Sequence, residues 1–188
     1  MADRGRCAAF KRKEIQAPSC EFAGETDEGT RVTDTFDAWR ANSPFYNESH
    51  EALAQSLRRF VDREVAPYID QWEGARESPR EFQRKAGEAG ILGLMFPEEL
   101  GGVSEGFDVF HQLTQLEALA RPGAGGVHAS LLTHGVALHP IVLMGSEELK
   151  QRVAPDVLAG KKIISLGVTE PSGGSDVANL KTRAEKRG

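Results

Sequence analysis

Between Leu53 and Leu158 the apolar residues return at three- and four-residue intervals, and after Lys162 that rhythm stops. A period near 3.6 places apolar side chains on one face of a helix. The run that follows, Ile163, Ile164, Leu166 and Val168, is short and apolar and suits a strand instead. The chain is therefore expected to be mainly α, a set of packed helices followed by the opening of a β-type region. A boundary near Lys161 divides residues 43–161, the helical domain, from residues 162–188. Residues 1–42 carry scattered charges with little apolar periodicity and read as a flexible N-terminal extension, in which Phe36 and Trp39 are candidates for local docking. Two strands at most cannot make a stable sheet, so the sequence reads as the N-terminal part of a longer chain.

Start and stop signals partition the helical region. Asn47 or Ser49 suits the N-cap of a first helix, whose inner face is Leu53, Leu57, Phe60, Val61 and Val65. Pro67 kinks or ends it, because proline lacks the N–H of the helical ladder. Ser78-Pro79-Arg80-Glu81 reads as a capping box with proline at the first helical position. Phe82, Ala86 and Ala89 supply that helix's buried face, and Gly90 stops it. Ile91 to Phe96, closed by Pro97 and Gly101-Gly102, is expected to be a buried connection rather than a regular element. A third helix spans Phe107 to Ala120 with Phe110, Leu113 and Glu117 on one side, and Arg121-Pro122-Gly123 breaks it. Gly126 to Leu138 is apolar on nearly every face, which predicts a helix buried at the centre. Ser146 caps a fifth helix, with Glu147 and Glu148 at its positive end and Leu149, Val153, Val157 and Leu158 inward; Gly160 closes it.

Composition narrows the function classes. A net charge of −5 provides no basic field for nucleic acid. No apolar run approaches a membrane span, since the longest, Val136 to Met144, is interrupted by His139 and Pro140. The two cysteines, Cys7 and Cys20, have neither zinc nor CxxC spacing. The body of the chain has none, which fits a reducing, cytoplasmic setting, with the mitochondrial matrix as the alternative. Met1 to Lys13 holds five basic residues and one acid, faintly like a transit peptide, but Glu14, Glu21, Glu25, Asp27 and Glu28 spoil that composition.

Chemistry concentrates in Leu166 to Val177, LGVTEPSGGSDV. An apolar run emptying into Ser172 to Ser175 leaves backbone N–H groups free to form a nest for an anion such as a phosphate. Glycine lets a ligand approach the backbone, and Thr169 and Ser175 add hydroxyls. Pro, Ser, Gly and Asp also make ordinary turns for local reasons, so the residues by themselves fit a plain turn as well. Elsewhere, His128 and His139 share a helical face while His134 points away, and no carboxylate or thiolate completes a site; no metal is assigned. No GxSxG elbow, P-loop or GxGxxG occurs. Glu117 and Glu170 are the acids closest to this chemistry, and neither is assigned as a catalytic base; Glu117 is free to pair with Arg121.

The string Val-Thr-Glu-Pro-x-x-Gly-Ser-Asp-Val, followed by Lys181-Thr182, resembles the flavin-binding signature of the acyl-CoA dehydrogenase family. Gly90-Ile91-Leu92-Gly93-Leu94 with Pro97-Glu98-Glu99, and Gly145 to Gln151 with Leu158-Ala159-Gly160, are similar to that family too, so the resemblance covers Phe45 to Gly188. It implies a helical domain followed by the first strands of a β-barrel-like middle domain, FAD as cofactor, an acyl-CoA substrate and an electron-transferring flavoprotein as acceptor. It also implies a homo-oligomer, tetramer or dimer, at full length. In that family a glutamate takes the α-proton of the thioester while the β-hydrogen leaves as hydride to the flavin. Carried over by motif, Leu166, Gly167, Val168 and Thr169 lie against the flavin, and Ser175 lies near the pyrophosphate of FAD and the CoA of the substrate. Leu166 stands where many members have an aromatic residue, and Ser172 and Gly174 where Gly and Ala are common. The family's catalytic glutamate lies in a C-terminal helical domain, outside this sequence, so no catalytic residue is named. Two other readings keep the same residues: a non-catalytic helical interaction module or degenerate product, and an acyl-CoA oxidase or flavin monooxygenase of the same fold.

Overall fold

The computed structural model describes residues 32–187. Among them are seven α-helices: α1 (Val32–Ala41), α2 (Glu48–Glu64), α3 (Ile69–Ala75), α4 (Arg80–Glu88), α5 (Val109–Ala120), α6 (Gly125–Met144) and α7 (Glu147–Leu158). The first thirty-one positions of the expected extension lie outside the described residues; α1 itself is an element that sequence periodicity does not announce. Its end is tied down by Arg40, a buried guanidinium that donates to Glu117 on α5 at 2.8 Å and to Asp37 at 2.5 Å. Glu117 thus pairs across the fold rather than with Arg121.

α2 starts where Asn47 caps it and lies along α5, burying Leu57, Phe60 and Val61. It ends at Glu64, and Pro67 falls within a 3-10 turn, Ala66–Tyr68, that leads into α3. One core gathers these residues with Trp72, Phe82, Ala86, Ile91, Leu92, Leu119, Val127 and Leu131. A second gathers Phe96, Leu100, Leu138, Ala154, Val157 and Leu158, with half-buried Val153 and Ile164 packed on it. The connection between the cores runs from Ile91 to Val103; Ile91 to Phe96 has no regular element, as its composition predicts, and a 3-10 turn, Glu98–Leu100, follows Pro97. Ile91, Leu92 and Phe96 are buried in it. Val103 closes the turn, its N–H donating to Gly93 O at 2.9 Å and its carbonyl accepting from Met95 N–H at 2.9 Å.

Several expectations are corrected. Pro79, not Ser78, is the N-cap of α4, and the capping box does not form; the Ser78 hydroxyl lies 3.3 Å from that of Ser130 instead. Ala89 is exposed, and Gln83 takes the inward position beside Phe82 and Ala86. On α5 the buried face is His111, Thr114, Gln115, Ala118 and Leu119, while Val109, Leu113 and Leu116 face solvent. Polar residues occupy the inner stripe because each finds a partner there: Gln115 donates to Ile91 O at 2.6 Å, and Thr114 to Phe110 O at 2.8 Å. The expectation that α6 is buried on all sides also fails. Val127, Leu131, His134, Ala137 and Leu138 are buried, but Val136, Leu143 and Met144 are exposed, Met144 at 88%. Periodicity cannot orient a helix that is apolar all round. At 20 residues α6 is also long and apolar enough by length and composition to cross a membrane, contrary to the shorter interrupted run read from the sequence. Finally, residues 162–187 carry no strand; two isolated bridge pairs are the β-type pairing among the described residues. A strand exists only through hydrogen bonds to a neighbour, and Ile163 to Val168 have none here.

Where α4 and α7 end they cross at backbone distance. A Cβ on Gly87 would sit 2.3 Å from the Ala159 carbonyl carbon, and one on Gly160 would sit 2.2 Å from Gln83 O. Gly160 also has a φ of +69°, a left-handed value suited to glycine.

Candidate functional site

Leu166, Gly167, Val168, Thr169 and Ser175 all lie in the segment that leaves α7, and all are exposed. Ile164 is half-buried against the second core and anchors the start of this segment. Beyond it Leu166 is 52% exposed and Val168 36%. A tight turn follows Thr169, in which Glu170 N–H donates to Gly173 O at 2.9 Å and Gly173 N–H to Glu170 O at 3.1 Å. A Cβ on Gly174 would lie 3.8 Å from the Thr169 side chain, so these two positions are neighbours across the turn. One on Gly173 would meet nothing within 4 Å, so the turn is open on that side, while the Gly173 N–H and carbonyl are both taken by Glu170. Along the chain this exposed segment presents an apolar strip, a glycine-lined turn and two hydroxyls, a wall open to solvent. Such a wall is chemically suited to the flat ring and the phosphates of a flavin nucleotide.

Glu170 is the side chain that sequence reading left without a role. Its carboxylate accepts Lys181 N–H at 2.9 Å and Thr182 N–H at 2.6 Å. These bonds, led by those to Thr182 and Lys181, hold its carboxyl below the ordinary value. The only signal in the sequence is a lone acid opening a polar loop.

Sequence reading also missed a side-chain cluster at the N-termini of α2 and α5. Asn47 and Asp108 cap these helices, and in each the third helical residue is a histidine that closes a capping box. His50 Nδ1 accepts Asn47 N–H at 3.0 Å, which leaves its Nε2–H to donate to Asp108 Oδ1 at 2.9 Å. His111 Nδ1 accepts Asp108 N–H at 3.1 Å, and its Nε2 lies 3.0 Å from the Ser49 hydroxyl. The rings lie 3.8 Å apart between centroids, tilted by 33°. The His50 hydrogen bond, with those from the His111 and Phe110 backbone, pulls the Asp108 carboxyl well below the carboxylate range. His50, Asp108 and His111 have the composition of a metal site. Their arrangement serves another purpose: both Nδ1 atoms are committed to backbone N–H groups, and a cation would sit between two positive helix ends. The cluster is a clasp between helices. The repeated spacing Asx-x-x-His at 47–50 and 108–111 is the sequence signal that betrays it.

The three histidines weighed from sequence take separate places. His134 is buried, with Nε2 2.8 Å from Leu92 O and Nδ1 3.1 Å from Leu131 O. His139 bonds the Gly135 carbonyl within α6, and His128 lies half-buried near the start of that helix. Burial pushes the His134 imidazole below its ordinary value, partly offset by the two carbonyls. The unfolded chain then takes up a proton more readily than the folded one. The stability this residue contributes is complete above the ordinary histidine value and is lost as pH falls below it. We expect the fall in melting temperature between pH 7.5 and pH 5 to be shallower in His134→Gln, whose amide still donates to Leu92 O. An unchanged slope would assign the acid sensitivity elsewhere.

Comparison with known proteins then places the helical body. The description "Acyl-CoA dehydrogenase, N-terminal domain" matches residues 47–161. The chain belongs to the acyl-CoA dehydrogenase family. Rat long-chain specific acyl-CoA dehydrogenase, mitochondrial, is 33% identical over 144 residues, a match covering 76% of this chain and 33% of that protein. A solved structure of a probable acyl-CoA dehydrogenase from Mycobacterium abscessus is 49% identical with a TM-score of 0.70, over 76% of this chain and 38% of that one. A chain in the structure of the electron transferring flavoprotein of Acidaminococcus fermentans is 28% identical with a TM-score of 0.67, over 78% and 38%. The acyl-CoA dehydrogenase relatives are thus about three times as long as the stretch this chain matches. In family terms the matched region is the N-terminal helical domain, and the wall at 166–175 follows directly on it.

Proposed function

We propose that the chain is the N-terminal part of a flavin-dependent acyl-CoA dehydrogenase, which introduces an α,β double bond into an acyl-CoA thioester. The observation that carries this reading is the succession itself: a helical domain of the family, then an exposed apolar strip and a hydroxyl-bearing, glycine-lined turn in the family's motif order. Leu166, Gly167 and Val168 would form the apolar edge for the FAD ring, and Thr169 would hydrogen-bond it. Ser175 would lie near the pyrophosphate and the CoA portion of the substrate. When bound, FAD supplies the hydride acceptor of the family's reaction. The chain's own residues supply position: they seat the ring edge, donate hydrogen bonds and close one side against water. Residues 162–187 would become the first strands of the middle β-domain once the remainder of that domain is alongside to pair with them. An electron-transferring flavoprotein is the acceptor, and the complete enzyme is a homo-oligomer.

The glutamate that takes the α-proton in the family lies beyond the matched region. The isolated 188-residue chain is therefore expected to give no turnover with acyl-CoA thioesters of any length. It should bind FAD weakly, seen as quenching of flavin fluorescence on titration and lost on desalting. Turnover by the isolated chain would overturn this assignment. In its source cells the native product should be much heavier than 20.4 kDa. A stable species of 20.4 kDa would favour the non-catalytic interaction module instead.

A further inference from the structure

We infer that Glu170 is a positioning residue, whose carboxylate ties off the loop carrying Thr169 and Ser175 so that the cofactor-facing wall is shaped before any sheet surrounds it. The inference rests on the flavin reading above. Its geometry is that of a neck. The carboxylate reaches 11 and 12 residues along the chain to accept Lys181 and Thr182 N–H. The Ser172 hydroxyl, 3.5 Å away, points at the same carboxylate from inside the loop. The Glu170–Gly173 backbone pair closes a second, smaller ring on the same residue. Within the neck, Asn179 N–H donates to Asp176 O at 3.3 Å and its side-chain amide to the Asp176 carboxylate at 2.5 Å, which folds the far end into a 3-10 turn, Val177–Asn179.

The loop needs such a device because, among the described residues, neither a strand nor burial holds its two ends together. Residues 165–169 and 171–187 are exposed, and no strand pairs with them among the described residues. An open loop of this length would otherwise sample many shapes, and each would have to be given up when a ligand binds. Hydrogen bonds from backbone N–H to an ionised carboxylate are the stronger kind, and here two of them use a single side chain. The neck encloses the turn that sets Gly174 beside the Thr169 side chain.

The test uses the full 188-residue chain, its Glu170→Ala and Glu170→Gln forms, amide hydrogen exchange read by NMR, and FAD as the probe. In the unmodified chain the Lys181 and Thr182 amides should exchange at least about tenfold more slowly than open-chain amides. That protection should fall away in acid, because a carboxylate with a depressed value keeps its partners above the ordinary range and loses them as pH drops through the depressed one. Glu170→Ala should lose the protection at all pH values. Glu170→Gln, which keeps one acceptor oxygen, should retain part of it without the acid dependence. Core amides on α2 and α6 report that the domain is folded in every form. FAD quenching should weaken roughly tenfold in Glu170→Ala, the size of losing about one net hydrogen bond to a charged group, and should be partly restored in Glu170→Gln. Unprotected Lys181 and Thr182 amides in the unmodified chain would overturn the proposal, as would equal FAD affinity in all three forms. Absence of FAD binding by the unmodified chain would remove the flavin reading, and the proposal with it, while the exchange data report the neck separately.

Discussion

Gly160→Ala is expected to destabilise the helical body by roughly 2–4 kcal/mol, a large part of what a domain of this size has to lose. Two costs add. The residue sits at a φ of +69°, where a Cβ is disfavoured by about 1 kcal/mol. The added methyl would also lie 2.2 Å from Gln83 O and 2.8 Å from its carbonyl carbon, which are backbone atoms that cannot swing aside. Relieving the clash means moving the end of α7 off α4, and the second core with it. Gly90→Ala is the matched control. Gly90 has a φ of +75° with nothing within 4 Å of the added methyl. Its loss should be the conformational part alone, about 1 kcal/mol. Urea denaturation of the two variants separates the terms, and equal losses would mean the helix crossing yields without cost.

Leu138→Ala and Leu143→Ala form the second pair, five residues apart on α6. Leu138 is fully buried, at 0% exposure, in the core shared with Phe96, Val157 and Leu158. Truncating it removes about 3–5 kcal/mol, the transfer term plus the cavity left behind. Leu143 is 75% exposed, and its truncation should change stability by less than about 0.5 kcal/mol. A large loss at Leu143 in the isolated chain would show that this face is covered in solution, by a second copy of the chain.

The sequence makes the helix boundaries legible and the orientations less so. Asn47, Gly90, Ser146 and Gly160 mark ends through local chemistry, a side chain reaching a free N–H or a glycine accepting positive φ, and such chemistry travels with the residue. Which side of α5 faces inward is settled instead by distant partners. Thr114 and Gln115 are buried because Gln115 reaches Ile91 O, a contact 24 residues away, and Leu113 is left outside. α6 has no polar face to orient it, so apolar patterning overstates its burial. The candidate site is legible in the sequence as a motif and illegible as a surface: LGVTEPSGGSDV names the residues, but the neck formed by Glu170 depends on two backbone N–H groups that no side-chain pattern reveals.

The paired caps of α2 and α5 bear on the order in which this domain comes together. His50 and Asp108 are 58 positions apart, so the bond between them forms only after a long loop has closed. Until then each helix start keeps its own local box but lacks the other's ring and carboxylate. Loop closure over that distance is entropically costly and slow compared with forming either helix. The clasp requires that docking, and it rewards the one arrival geometry in which both helices present their first turns to each other. A chain that pairs α2 with α5 in a shifted register gains the helices and forfeits the shared cap. The two histidines thus favour the docking register in which each cap is shared between the helices.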